Sequence, residues 1–159
     1  MISVIEELVS LVSLDNIVFH EERARRIAWE EGDPKLADLP SYANSLGIQQ
    51  SDQSLTFRFR MVFTDENAEY VADIAAVYAV PEPLSLGQDL FGEFAERVAF
   101  MTVYPFLRSS VYGSAARLGQ PIPVLGLVRP GEFHAAEQMS EEDVRGAFLD
   151  NVSESVGSK

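Results

Sequence analysis

The sequence predicts an α+β fold: an antiparallel sheet covered by a long kinked helix. Two patterns carry that reading. Residues 55–63 alternate, with Leu55, Phe57, Phe59, Met61 and Phe63 on one face and Thr56, Arg58 and Arg60 on the other. That is the period of a half-buried strand. From Asp89 the period turns helical and holds through Leu118, interrupted at Pro105 and ended at Gly119. A proline inside a helix removes one backbone hydrogen bond and kinks the rod, and glycine supplies the left-handed stop.

The remaining elements follow in order. Ile2, Ile5, Val9 and Val12 fall near helical spacing, predicting a short helix that leads into a strand over about 12–20, where Ile17, Val18 and Phe19 are strand formers. Residues 20–53 open on the charged run His20 to Arg26 and contain Gly32-Asp33-Pro34 and Leu39-Pro40, so they read as a long connection. Trp29, Tyr42, Leu46 and Ile48 give it apolar anchors, and a long anchored loop in a compact domain is usually functional. After the 55–63 strand, Thr64-Asp65-Glu66-Asn67 supplies turn chemistry. A second strand over 69–80 has apolar residues on both faces and, past Glu69 at its start, a single charge, Asp73. Such a strand is covered on both sides or lies at an interface. Past the kink, Ser109, Gly113 and Ala116 line up at helical spacing, and small residues so placed let another backbone approach closely. Residues 122–128 form an apolar connector in which Pro123, with Pro121 just before it, forbids regular ladder pairing. Ser140-Glu-Glu-Asp143 opens a short final helix through Leu149, followed by a frayed tail.

Composition narrows the chemistry. The chain has 25 acidic against 12 basic residues, a net charge of −13, which argues against nucleic acid as a partner because phosphate binding needs a basic face. The same charge can steer a basic or unfolded polypeptide. With no cysteine, thiolate catalysis and zinc–thiolate sites are excluded, and His20 and His134, far apart in sequence, argue against a histidine-based metal centre. No apolar run approaches the roughly 18 residues of a membrane span, and acidic residues by position 6 without a basic leader point to the cytosol. No Gly-Lys-Ser/Thr phosphate loop is present, so neither a nucleotide nor another cofactor is expected.

The order of features, together with Tyr104-Pro105-Phe106-Leu107-Arg108, then Arg117-Leu118-Gly119 and Pro121-Ile-Pro-Val-Leu125, resembles the SecB family of export chaperones and its SecB-like relatives in toxin–antitoxin–chaperone systems. The resemblance covers roughly residues 8–133 and divides the chain into a SecB-like domain over 1–138 and a C-terminal short helix and tail over 139–159. It implies a non-enzymatic, ATP-independent holdase, a dimer of dimers whose sheet is joined through a long crossover loop. Clients, an unfolded preprotein or an antitoxin, would lie in apolar grooves. Carried over by segment, Trp29, Tyr42, Phe57, Phe59, Ile122, Val124, Leu125 and Leu127 become groove candidates. Val71 and Asp73 match the apolar and acidic positions at which exporters recruit the SecA motor. The first strand departs from that pattern: Asn16 and His20 stand near positions that are acidic in exporters, with Asp15 and Glu21 one residue off. This points to a specialised relative such as an antitoxin chaperone. Pro105, Ser109, Gly113 and Ala116 become the oligomer-forming helix.

Each candidate also has a plainer role. Phe57 and Phe59 share a face with Leu55 and suit an ordinary core; Trp29 and Tyr42 suit loop anchoring. Arg108 suits a structural tie to a carboxylate or carbonyl, and Arg23, Arg25 and Arg26 suit pairing with the chain's own acids. Two other classes compete. A type III-secretion-like acidic dimeric chaperone predicts paired helices flanking the sheet and no kinked helix. A small α+β enzyme would place Asp73 with Tyr78 or Tyr104 inside a pocket.

Overall fold

The computed structural model describes residues 2–39, 41–123 and 125. It contains α1 (Ile5–Leu11), β1 (Ser13–Arg26), β2 (Ser41–Gln50), β3 (Ser54–Thr64), β4 (Ala68–Ala79), α2 (Gln88–Phe94) and α3 (Phe100–Arg117). One widened π turn, Ala95–Ala99, joins α2 to α3, so the helical run spans 88–117. The four strands form one antiparallel sheet in the order β1-β4-β3-β2. The chain therefore leaves one edge of the sheet at β1 and re-enters at the opposite edge at β2. Residues 27–40, with a short 3-10 helix at Pro34–Asp38, make that crossing.

Two sequence readings are corrected here. The charged run from His20 to Arg26 belongs to β1, and 41–50 is a strand rather than loop, so the connection is 27–40 instead of 20–53. Both strands lie at sheet edges, which hides their period. In β1 the charges are taken up sideways: Arg25 Nε reaches Glu69 Oε1 at 3.0 Å, and Arg23 Nε lies 3.2 Å from Glu21 Oε1. The Arg26 guanidinium donates to the Leu118 carbonyl at 3.1 Å, neutralising the negative end of α3. In β2 the outward residues Ala43, Ser45 and Gly47 are small, and Asn44 breaks the core-facing series.

β3 needs no correction. Its odd residues from Leu55 to Phe63 are buried and its even residues half-buried. They meet Tyr70, Ala72, Ile74, Ala76 and Tyr78 of β4, and α3 adds Phe100, Val103, Leu107, Val111 and Ala115 from above. Burying each large side chain contributes roughly 1.5–3 kcal/mol, so this single layer carries the fold. Leu8 of α1 is fully buried and closes one end of the layer. The β3–β4 turn is held by the Asp65 carboxylate, which accepts from the N–H of Asn67 at 2.8 Å and of Ala68 at 2.9 Å.

α3 stops as its sequence predicts. Gly119 has φ +65°, its N–H donates to the Ala116 carbonyl at 3.1 Å, and the Gln120 N–H reaches back to Ala115 at 2.9 Å. This pair of bonds is the Schellman arrangement. α3 continues on both sides of Pro105, and the π turn about two to three turns upstream was not foreseen. Residues 121–123 and 125 have no regular structure. The final helix over 140–149, the tail and the boundary at 138/139 lie outside the described residues.

Candidate functional site

The face of the sheet turned away from α3 carries a lattice of opposite charges. The side-chain period puts Val71, Asp73 and Ala75 of β4 on that face, beside Arg58 and Arg60 of β3. Arg58 donates to both Asp73 oxygens at 2.8 Å, a bidentate pair. Arg60 donates to Glu21 at 3.3 Å and stands 4.0 Å from Asp73. A register shift between Phe19 and Glu21 is what sets Glu21 opposite Asp73, correcting the one-residue offset in the sequence. His20 sits at that shift. Partial burial, then the Arg58 charge, hold its pKa below the ordinary 6.5, with Asp73 opposing. Asp73 and Val71 are 0% and 2% exposed, so a partner approaching this face meets guanidinium groups before it meets the carboxylate.

The opposite face holds the groove candidates. Phe57 and Phe59 are interior: Phe57 packs on Phe94 at 5.2 Å between ring centroids and Phe59 on Phe100 at 5.4 Å. Trp29 is half-buried in the crossover loop, and Tyr42 of β2 pairs in register with Phe63. Ile122 is exposed and Leu125 buried. Val124 and Leu127 lie outside the described residues. Among the described residues, Trp29 Nε1, Asn44 Oδ1 and the Tyr70 hydroxyl are buried with no hydrogen-bond partner. Asn44 and Tyr70 were not singled out from sequence. The available signal was an asparagine inside the 42/44/46/48 series.

On α3, Ser109, Ala116 and Pro105 are exposed and Gly113 is half-buried, whereas Ser110 and Ser114 are buried against the sheet. The small-residue stripe thus faces outward. Phe106 and Phe19 flank it edge to face at 6.2 Å, both largely exposed. Sequence reading missed this pair because they sit on different elements. Arg108 stacks over the Tyr104 ring at 5.7 Å, a cation–π contact where a carboxylate or carbonyl tie was expected. The pocket pairing Asp73 with Tyr78 or Tyr104 does not form. Tyr78, five residues from Asp73 on β4, points to the core face and donates to Thr102 Oγ1 at 3.0 Å. Burial raises its pKa. Tyr104 is buried on that same core side.

A two-layer molecule with an antiparallel sheet crossed from edge to edge, one long covering helix and an irregular apolar connector has the form of a SecB-like chaperone. The chain is 30% identical over 140 residues to the SecB-like chaperone SmegB of Mycolicibacterium smegmatis, covering 87% of this chain and 91% of that one. It belongs to the SecB-like chaperone family. Its fold is also that of the Mycobacterium tuberculosis SecB-like chaperone Rv1957, solved in complex with a ChAD peptide from the HigA1 antitoxin. That match has a TM-score of 0.61 and 16% identity over 77% of this chain and 91% of that chain. No family model matches the sequence. No helix among the described residues is long and apolar enough to cross a membrane.

Proposed function

We infer that this chain is an ATP-independent holdase that keeps an antitoxin polypeptide unfolded and soluble by binding extended apolar segments along the crossover-loop side of the sheet. The observation that carries the reading is its 30% identity, over nearly the whole of both chains, to a SecB-like chaperone. The antitoxin peptide bound by the structural relative supports the choice of client. The commitment of Asp73 to Arg58 favours an antitoxin over the SecA motor, since the acidic face such docking uses is neutralised here. The working form is a cytoplasmic homotetramer, a dimer of dimers joined through the outward stripe of α3, with Trp29, Tyr42 and the 122–128 connector lining the grooves.

The holdase mechanism follows from weak, repeated burial. Apolar contact contributes roughly 25 cal/mol per Å² before ordering costs, so one groove binds weakly and tolerates many sequences. Several grooves on one assembly raise the effective affinity without nucleotide. The test is light scattering of the purified chain with a chemically unfolded protein. Suppression of aggregation without nucleotide, by a particle of four chains, is expected. A monomer inert toward the unfolded protein overturns the reading.

A further inference from the structure

We propose that Arg26 is a positioning residue: its guanidinium clasps together the crossover loop and the connector after α3, the two segments set above as groove walls. The role rests on the holdase reading and adds to it the device that keeps the walls in place. Arg26 is the last residue of β1, so the crossing over 27–40 leaves the sheet directly from it. The next residue, Ile27, donates its N–H to the Asn67 carbonyl at 3.0 Å, which pins the start of the crossing to the β3–β4 turn. From this anchored point the guanidinium reaches the far end of α3. Its Nε and Nη2 donate to the Leu118 carbonyl at 3.3 and 3.1 Å. With the Gln120 amide turned so that its oxygen faces the guanidinium, the same two nitrogens donate to that oxygen at 2.9 and 3.0 Å. Gln120 directly precedes Pro121, where the connector begins.

α3 does not need this contact to stop. The Gly119 and Gln120 N–H groups already close its last turn on the Ala116 and Ala115 carbonyls. Charge pairing does not explain it either. Glu22, on the same face of β1, pairs with Arg117 at 3.3 Å, whereas Arg26 takes two neutral oxygens. What the contact supplies is geometry: one planar group ties the place where the crossing starts to the place where the connector starts. Arginine suits this, because its donors form a rigid fork, while a lysine presents one nitrogen and cannot hold both acceptors in the same way. Trp29 lies three residues past Arg26 and Ile122 two residues past Gln120, so both side chains hang on short tethers from the clasp. Walls held at a set spacing lose little freedom when a client arrives, and that preorganisation lowers the cost of binding. The clasp therefore acts on how long a client stays.

The test is dissociation of a fluorescently labelled, reduced and carboxymethylated protein, which stays unfolded, from the full chain. Arg26→Ala and Gln120→Ala are each expected to raise koff about three- to tenfold, the range that hydrogen bonds to an exposed charged group allow. Gln120→Ala added to Arg26→Ala should raise it no further, since the two residues act as one unit. Arg26→Lys should behave nearly as Arg26→Ala. Gln120→Glu sets a carboxylate against the guanidinium and should lower koff below that of the wild type. The thermal midpoint should not change, because the Gly119 stop remains. Unchanged koff in both single variants, additive effects in the double variant, or a midpoint that falls in step with koff overturns the inference and leaves the holdase reading standing. The tie is also read without a client. The chain has no cysteine, so nitroxides at Glu31→Cys and Ile122→Cys, both exposed positions, report one distance between the walls. Co-refolding with excess unlabelled chain restricts the signal to pairs within one molecule. Arg26→Ala should lengthen or broaden that distance, and an identical distribution overturns the clasp. If the wild type binds no unfolded protein, the holdase reading fails, and the distance alone then decides whether the tie exists.

Discussion

Asp73 is the residue whose role changes most between the chain and the fold. On a strand with apolar residues on both sides, a lone carboxylate suits a docking point. In the sheet, its two oxygens are taken by Arg58 at 2.8 Å each and it has no exposed surface. A buried carboxylate so paired is costly to desolvate, and the pair repays that cost only while both members remain. Asp73→Ala is therefore expected to destabilise the fold by about 3 kcal/mol, read by chemical denaturation, because it removes both carboxylate oxygens that accept from Arg58. Replacing both members, Arg58→Met with Asp73→Leu, should recover most of that loss. A single variant of native stability with altered partner binding would instead restore the docking role.

At the scale of elements, α3 has two unlike faces. Its inner face carries Phe100, Val103, Leu107 and Val111 into the core; its outer face carries Ser109, Gly113 and Ala116. A Cβ placed on Gly113 meets nothing closer than Arg117 Nη2 at 3.5 Å, so the fold itself does not need the glycine. Gly113→Ala should stabilise the helix by up to about 1 kcal/mol, as alanine does over glycine in a helix interior. Gly113→Leu should leave the fold intact but halve the particle mass in light scattering if this face packs against another copy. Retention of the wild-type mass would remove α3 from the interface. Elements with strong periods were legible in the sequence for the same physical reasons that make them fold: the alternation of β3, and the Gly119 stop with its φ of +65°. The tail of β1 and the whole of β2 were not. An edge strand buries only one side, and in these two the polar residues sit where an apolar period would show. Trp29 stood out in the sequence as an aromatic in a loop, whereas Asn44 and Tyr70 come onto one face only once β2, β3 and β4 are in register.

For the whole molecule, the net charge of −13 is unevenly spent. On the open sheet face the carboxylates of Glu21 and Asp73 are matched by Arg23, Arg58 and Arg60, so the excess acid lies elsewhere. Part of it follows α1, with Glu6 and Glu7, and the crossover loop, with exposed Glu30 and Glu31 near Trp29. A negative field beside an apolar site attracts unfolded segments that carry Lys and Arg among their apolar residues, and it acts before contact, on the association rate. Apolar burial acts after contact, on dissociation. Salt separates the two, because exposed charges are screened beyond about 10 Å at 0.1 M ionic strength. Stopped-flow binding of a basic unfolded probe should therefore slow by roughly tenfold in kon between about 20 and 300 mM salt, with koff changing little. An acidic probe of equal hydropathy should show the opposite trend in kon. Salt acting mainly on koff would place ion pairs inside the bound complex and make the client site itself electrostatic rather than apolar.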